Sequence, residues 1–470
     1  MSLNFQIVWR NPGSAKLLLF TLFAFSIQPA RAQSQDRQHE IQQLKDKLEQ
    51  LDQMMGEVKA ELNALERAGA QPNPSASPPP AAAVLPSAAP AETKKESEGT
   101  FNIYGHVQLD SGYNFQQIDP NWFDVVRPTK LPAYKNQFGQ DGNVFFSVRQ
   151  TRFGVKTSTP TALGDLKTLF EFELFGTGVD AGQTTFRLRH AYGELGQFGA
   201  GQTWTPFMDV DAFPNTLEYW GPNGMVNFRN VQIRWQPITG VNHLIFAIER
   251  PGATADGGVY SDRIELSGVK PKFDLPDFSA QGRLGRNWGY IQAASLFRKI
   301  SWVDVNKTQT RDLSRDVFGW GVNVTSSVKV GEKSTGRFQF VYGRGIENYM
   351  NDAPVDVGIR TSSNTTAPIK GVPLPVLGTV AFLDHNWNKK FSTSTGYSLI
   401  DIWNANGQTP DSFHQGHYAI ANLLYSPTNN FLTGGEFQFG RRINFLDGFN
   451  TNDYRLQFSF KYIFSKVLSY

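Results

Sequence analysis

The sequence has no cysteine, and its net charge is only +3 over 470 residues. The absence of cysteine excludes disulfides, thiolate zinc sites and cysteine nucleophiles. The near balance of charge argues against a nucleic-acid-binding protein, which is usually far more basic. The G-x-S-x-G, H-E-x-x-H and Walker motifs are also missing. We therefore predict no enzyme activity, no metal and no cofactor. The H-x-x-H pair His414 and His417 would face opposite sides of a strand, so it predicts no metal site.

Long apolar runs are scarce as well. The run Leu17–Ile27 follows Arg10 and Lys16 and precedes Ala30-Arg31-Ala32. It is shorter than the roughly 20 residues that a transmembrane helix needs. The pattern predicts a secretory signal peptide over residues 1–32. Because no later segment reaches transmembrane-helix length, a membrane location would require a closed barrel.

An unbroken heptad follows the predicted cleavage site and indicates a coiled coil over residues 33–67. An amphipathic helix packed on its own chain would usually show a wider apolar stripe. A coiled coil needs partner chains, so the segment predicts an oligomer. Its a positions are Ile41, Leu48, Met55 and Leu62, and its d positions are Leu44, Leu51, Val58 and Leu65.

Residues 68–99 differ in composition, since prolines recur between Pro72 and Pro90 in an alanine and serine background. Such a segment cannot bury a core and is typical of an extended, semi-rigid linker.

From Phe101 onward, apolar and polar residues alternate with a period of two. In the last segment, Leu456, Phe458 and Phe460 share one face, while Arg455 and Gln457 share the other. The aromatic faces suit lipid, and the charged faces would not be tolerated in a sandwich core. Residues 100–470 are therefore predicted to form an all-β transmembrane barrel.

About 370 residues at roughly 23 per strand and loop predict about 16 antiparallel strands, an even number as in bacterial outer-membrane barrels. An even count places both barrel ends on one side of the membrane, so the coiled coil would lie in the periplasm. A barrel of this size encloses an aqueous channel rather than a packed core.

Several motifs, in order along the barrel, resemble the DcaP-like porins. They are FRLRHAY (186–192), GQTW (201–204), PNGMVNFRNVQIR (222–234), NLLYSP (422–427), GEFQFGRR (435–442) and FSFKYIF (458–464). The resemblance implies a homotrimeric outer-membrane porin with a periplasmic coiled coil, taking up small anions and notably dicarboxylates. One departure is the C-terminus, where Phe464 is followed by six residues. Either Tyr470 supplies the terminal aromatic residue or the strand register differs from that of the family.

Porins select by pore width and by charged side chains on the lumen. Arg187 and Arg189 are two residues apart and share a strand face, which should be the lumen because lipid disfavours arginine. Arg152 and Lys156 share a face too and are further candidates. The alternative is that such residues only pair with neighbouring acids or face lipopolysaccharide phosphates.

The stretch from Thr205 to Arg229 is irregular and rich in proline and glycine, which predicts a constriction loop folded into the channel. It carries the acids Asp209, Asp211 and Glu218. Arg229 and Arg234 follow, an odd number of residues apart. Both can line the pore only if Arg229 still belongs to the loop or a bulge intervenes. Arginines facing an acidic loop would create a transverse field suited to a small anion.

The leading functional prediction is a diffusion porin that prefers small anions. A phosphate or polyphosphate porin would normally show a denser ladder of basic residues. An outer-membrane hydrolase would need a serine and histidine pair at the lipid boundary, and none is convincing. A mainly structural role, spacing the membrane from the cell wall, is the remaining alternative. The predicted partners are outer-membrane lipid, lipopolysaccharide, small anions and two further copies of the chain.

Overall fold

The computed structural model describes residues 99–252, 263–363 and 368–470, together with Gln42 and Lys45. The chain divides into two units, Met1–Thr93 and Lys94–Tyr470. In the first unit only Gln42 and Lys45 are described, and both are helical. The predicted signal peptide, the linker apart from Gly99, and all eight coiled-coil a and d residues lie outside the described residues. No helix in the described part of the chain is long and apolar enough to cross a membrane.

The second unit is an antiparallel β-barrel whose neighbouring wall strands follow one another along the chain. The strands are β1 (Thr100–Asn114), β2 (Asn143–Ser147), β3 (Arg152–Thr161), β4 (Gly164–Phe175), β5 (Thr184–Leu195), β6 (Phe198–Trp204), β7 (Arg229–Ile238), β8 (His243–Glu249), β9 (Val269–Lys272), β10 (Asp277–Arg286), β11 (Gly289–Asp304), β12 (Arg315–Val330), β13 (Ser334–Arg344), β14 (Val357–Thr361), β15 (Ile369–Pro373), β16 (Pro375–Asn386), β17 (Phe391–Ile402), β18 (Phe413–Thr428), β19 (Phe431–Asn444) and β20 (Asn450–Ser469).

Sixteen positions make up the barrel wall. Both β2 and β3 pair with β1, and both β9 and β10 pair with β11, so each of these two pairs is one interrupted wall strand. Strands β14 and β15 form a separate hairpin. The barrel closes where β20 pairs with β1. The predicted all-β barrel of 16 antiparallel strands is confirmed.

The two ends of the barrel differ in the length of their connections. At the end where Thr100 pairs with Ser469, tight turns such as 161–164, 195–198 and 286–289 join the strands. The opposite end carries long segments, including residues 115–142, 205–228 and 345–356. Short turns at one end and long loops at the other are typical of outer-membrane barrels.

The two faces of the wall follow the alternation in the sequence. In β20 the exposed fractions of Leu456 and Phe458 are 38% and 53%, whereas Arg455 and Gln457 are fully buried. Apolar and aromatic side chains therefore face outward, towards lipid, and polar side chains face the lumen. This is the reverse of a soluble protein and confirms the predicted faces.

The C-terminal strand runs in register to its end. Its ladder with β1 continues without a break from Asn114, paired with Arg455, to Thr100, paired with Ser469. Beyond it, the Gly99 amide donates to the Tyr470 carbonyl at 2.9 Å. The Tyr470 hydroxyl lies 2.6 Å from that of Thr159. The last strand therefore continues past Phe464 as far as Ser469.

Candidate functional site in the barrel lumen

Residues 205–228 leave the wall after β6 and cross the lumen. The Asn323 amide donates to the Phe207 carbonyl at 2.8 Å, and the Leu217 amide donates to Glu436 at 2.7 Å. Farther along, the Gly224 amide donates to the Ser398 hydroxyl at 2.9 Å. A Cβ at Gly224 would lie 2.0 Å from the Leu399 carbonyl oxygen, so only glycine permits this approach to β17. The loop therefore lies across the channel, as its irregular sequence predicts.

Two of the predicted loop acids do not face the arginines. Asp209 is buried and accepts hydrogen bonds from Arg283 at 2.7 Å, Tyr290 at 2.8 Å and Thr325 at 2.5 Å. Asp211 pairs with the same Arg283 at 2.5 Å. The expected field between wall arginines and these acids is thus corrected: both carboxylates anchor the loop to the wall of β10–β12, because Arg283 neutralises them there.

The third loop acid, Glu218, does line the main cavity, but its carboxylate is occupied. It accepts hydrogen bonds from the backbone amides of Val126 at 3.1 Å and Trp220 at 3.0 Å, and from that of Gly221. The Tyr418 hydroxyl also donates to it, at 3.2 Å. Burial nevertheless raises the pKa of Glu218 to about 7, since these contacts only partly offset the lost hydration.

A cavity of about 930 Å³ lies between this loop and the wall. Seven cationic side chains and only two acidic ones line it. The cations are Arg127, Lys130, Arg152, Arg187, Arg189, Arg229 and Arg263, and the acids are Asp119 and Glu218. Of the six predicted cationic residues, the structure brings Arg152, Arg187, Arg189 and Arg229 together here.

Two glutamates of β4 hold this arginine cluster together. Arg189 contacts Glu171 at 2.6 Å and Glu173 at 2.7 Å. Arg152 reaches Glu173 at 3.2 Å, and Arg187 reaches it at 3.7 Å. Glu173 is fully buried, so its charge is compensated by guanidinium groups rather than by water. Glu171 and Glu173 share the inward face of β4, and their carboxylates are the counter-ions of the arginine cluster.

A break in the β4–β5 register contributes to the packing at Arg189. Glu171 pairs with His190 and Phe172 with Leu188, so Arg189 is left without a partner in the ladder. Such a bulge lets consecutive residues turn to one side, and both Arg189 and His190 are buried. Alternation alone would have placed His190 on the lipid face.

Among the four arginines of this cluster, Arg229 lies farthest from a carboxylate. It is the first residue of β7, and its guanidinium lies 4.0 Å from Glu173 and 4.7 Å from the Trp204 ring centre. Its Nε is buried and has no hydrogen-bond partner in the described residues. The position at the junction of loop and strand meets the condition under which both Arg229 and Arg234 can face inward.

Arg234 and Lys156 lie apart from this cavity. Arg234 donates to the Trp204 carbonyl at 2.6 Å and to the Gln232 side chain at 2.9 Å, which fixes it to the wall. Lys156 is exposed, and its ammonium group lies 4.7 Å from the centre of the Tyr104 ring. Neither residue lines the main cavity, so their predicted grouping with the other arginines is not what the structure shows.

Sequence reasoning missed the cations that loops bring to the cavity, which are Arg127, Lys130 and Arg263. Arg127 lies between two indole rings, 4.1 Å from Trp122 and 4.0 Å from Trp220, and it pairs with Asp352 at 2.9 Å. The segment 115–142 is as irregular and proline-bearing as 205–228, so the same criterion applied there would have found Arg127 and Lys130. No comparable local signal marks Arg263.

The described residues contain no group of three His, Asp or Glu side chains arranged to hold a metal ion. The two histidines of the H-x-x-H pair each contact protein groups. His414 lies 2.8 Å from the Ile402 carbonyl, and His417 lies 3.1 Å from the Gln415 side chain.

Comparison with known proteins agrees with this architecture. The structure resembles the outer membrane channel DcaP of Acinetobacter baumannii, with 19% identity, a TM-score of 0.62, and coverage of 80% of this chain and 100% of that one. It also resembles an anion-selective porin from Comamonas acidovorans, with 10% identity, a TM-score of 0.52, and coverage of 78% and 100%. A search of curated proteins finds no match. At these identities the likenesses show a shared fold.

The family comparison goes further than the fold. The model of the DcaP outer membrane protein family matches residues 88–464, which is most of the chain and all but the end of the barrel. The resemblance in the barrel motifs is therefore confirmed, and so is the outer-membrane location of this porin-type barrel. The chain belongs to the DcaP outer membrane protein family.

Proposed function

We propose that this outer-membrane porin is a diffusion channel for small hydrophilic solutes that favours small anions, dicarboxylates in particular. One observation carries the proposal: seven cations and two acids line the cavity beside the constriction loop. Adding the paired Glu171, Glu173 and Asp352 behind the lining still leaves an excess of positive charge. A charged lining of one sign sets the selectivity of a narrow pore.

The proposed preference for dicarboxylates rests on two sets of arginines that line the same cavity, one from the wall and one from the loops. Arg152, Arg187 and Arg229 belong to the barrel wall, whereas Arg127 and Arg263 come from the loop regions. Guanidinium groups bind carboxylates with directed, paired hydrogen bonds. A diacid can therefore contact a wall arginine with one carboxylate and a loop arginine with the other, whereas chloride has only one charged centre. The name of the Comamonas neighbour as anion-selective agrees with this proposal, although the likeness supports only the fold.

The same proposal includes an assembly of three barrels held by a periplasmic coiled coil over residues 33–67. Its support is the heptad of apolar residues, which needs partner chains to be buried. The linker of residues 68–99 would then separate the coiled coil from the barrel, and the signal peptide of residues 1–32 would be removed on export.

Planar bilayers test the channel proposal directly. The purified protein should give stepwise conductance, and its reversal potential in a salt gradient should show anion preference. Arg187→Gln with Arg229→Gln should weaken that preference. Arg286→Gln is the matched control. Arg286 is exposed at a tight turn, so this substitution removes the same kind of charge away from the cavity. No conductance would contradict the channel, and equal shifts in variant and control would contradict the role of the cavity.

The two alternatives give different results in the same bilayers. A phosphate porin should be blocked by inorganic phosphate at lower concentration than by succinate, whereas the dicarboxylate proposal predicts the opposite order. A protein with only a structural role should show no channel steps at all.

A further inference from the structure

Another buried polar side chain on the cavity, that of Asn348, has no hydrogen-bond partner among the described residues, and the residue after it in the chain packs against the start of β7. The turn Glu347–Tyr349 packs against the start of β7. The Asn227 amide donates to the Tyr349 carbonyl at 3.0 Å, and the Phe228 and Tyr349 ring centres are 4.5 Å apart. These contacts bring Asn348 and Arg229 to one region of the cavity that both line.

The side-chain amide of Asn348 is buried, with 2% of the residue exposed. Both its Nδ2 and its Oδ1 lack a hydrogen-bond partner in the part of the chain that the structure describes, and so does the Nε of Arg229. Buried polar groups in native proteins are nearly always paired, so each exception calls for a reason. The Nε of Arg152 also lacks a hydrogen bond on this cavity, but it faces Glu171 at 3.6 Å, so Arg229 and Asn348 are the groups for which a ligand would supply the missing partners.

The unpaired atoms specify the chemistry of that ligand. Arg229 offers charged donors, which suit a carboxylate. The Asn348 amide offers one donor group and one acceptor, and a hydroxyl group can satisfy both because it accepts and donates. An ammonium group would satisfy only the acceptor. The two residues together therefore fit a carboxylate with a hydroxyl close to it.

We propose that the cavity selects 2-hydroxydicarboxylates over unsubstituted dicarboxylates, with Arg229 binding the carboxylate and Asn348 binding the hydroxyl. This inference rests on the proposed anion channel and deepens it. A site built to hydrogen-bond a substrate hydroxyl discriminates against the analogue that lacks it, because the buried polar atoms then stay unpaired.

Malate (2-hydroxysuccinate) and succinate are the probes, since they differ by one hydroxyl. Each is titrated against the chloride current of the full-length channel in planar bilayers, and the concentration that halves the current is measured. Malate should bind about tenfold more tightly than succinate, as one added hydrogen bond of roughly 1.4 kcal/mol gives. Equal binding would overturn the inference while leaving the anion channel intact.

Three variants separate the two roles. Asn348→Ala should bring the malate-to-succinate ratio close to one, because it removes the group that distinguishes the two anions. Arg229→Gln should weaken both anions and keep the ratio. Asn223→Ala is the matched control, because that amide is also fully buried and unpaired among the described residues but does not line the cavity. It should behave as wild type.

The outcomes distinguish this inference from the function on which it rests. A ratio unchanged by Asn348→Ala, or lowered equally by Asn223→Ala, would overturn the role of Asn348. A wild-type channel that shows no anion preference would instead contradict the proposed function. If Asn348→Ala does not assemble, the wild-type comparison of malate with succinate still decides, since equal binding excludes hydroxyl recognition.

Discussion

Replacing Glu173 by glutamine should make the channel more anion-selective and less stable. Glu173 is fully buried, and guanidinium nitrogens of four arginines lie within 4.0 Å of its carboxylate oxygens. The four arginines together with Glu171 and Glu173 carry a net charge of +2. The isosteric Glu173→Gln keeps the shape of the side chain and raises that excess to three.

The size of the effect on selectivity can be worked out from Coulomb's law. A unit charge about 6 Å from a permeating ion, at an effective dielectric constant of about 20, changes the ion's energy by about 3 kcal/mol. With a Debye length of about 10 Å at 0.1 M salt, screening removes roughly half of this. The remaining energy of about 1.4 kcal/mol favours an anion about tenfold and disfavours a cation about tenfold, so the ratio of anion to cation permeability should rise by up to about a hundredfold.

The free energy of unfolding should fall in the Glu173→Gln variant. Breaking a buried ion pair by removing one partner costs about 3–5 kcal/mol, because it leaves the other charge buried and uncompensated. The lower end, about 3 kcal/mol, is expected here, since the Arg152 side chain is 27% exposed and water can reach it. Urea-induced unfolding in phospholipid vesicles, followed by tryptophan fluorescence, measures the free energy of unfolding.

Asp316→Asn is the control for this experiment, because Asp316 loses the same charge from a side chain that is 60% exposed. It should leave both the reversal potential and the free energy of unfolding nearly unchanged. The reasoning is refuted if Glu173→Gln shifts the reversal potential no more than Asp316→Asn does, or shifts it towards cations. Selectivity would then be set outside the arginine cluster.

Three further predictions concern the loop, pH and assembly. Asp209→Ala removes the carboxylate that Arg283 and Tyr290 bind, so the constriction loop should loosen. The single-channel conductance should rise, and the free energy of unfolding should fall by about 2 kcal/mol. An unchanged conductance would contradict the anchoring role. Glu218 has a pKa of about 7, so anion preference should rise as the pH falls from 8 to 6 and the cavity loses a negative charge. Because this pKa is raised above the ordinary value of about 4.5, its stabilising contribution is present at low pH and is lost as the pH rises through 7. Glu218→Gln should abolish the pH dependence of anion preference and reduce that of stability, and a selectivity profile that survives it would assign the dependence to other groups. Deleting residues 41–65 should lower the heat stability of the oligomer on native gels without abolishing conductance, and an oligomer as stable as wild type would exclude the coiled coil as its clamp.

The channel narrows because three segments from different parts of the chain meet in the lumen. Trp220 of the constriction loop donates to the Asn351 carbonyl at 2.8 Å, and Arg127 from the first long loop pairs with Asp352 at 2.9 Å. These contacts join residues more than a hundred positions apart. They explain how loops without regular structure can hold cations on a cavity at fixed positions.

The loop acids show where sequence reasoning stopped. The irregular composition of residues 205–228 correctly predicted a loop inside the barrel. It could not predict that Asp209 and Asp211 would pair with Arg283 of β10, because nothing near them in the sequence indicates which wall the loop contacts. Arg263 went unnoticed for the same reason, whereas the irregular composition of residues 115–142 would have indicated Arg127 and Lys130.

The sequence by itself determined the wall of this barrel. Alternation with a period of two is a local property, and a strand between lipid and water must obey it residue by residue, so the faces and the strand type could be read directly. The count of about 16 strands followed from the length of the barrel segment. The C-terminal register and the grouping of charges on the lumen were decided only by the tertiary structure. They depend on long-range pairing, on the bulge at Arg189, and on loops whose positions are fixed by contacts with distant strands. The arginines of the wall were visible in the sequence, but which of them are neutralised and which remains poorly paired became apparent only once Glu173, Arg189 and Arg229 were seen together.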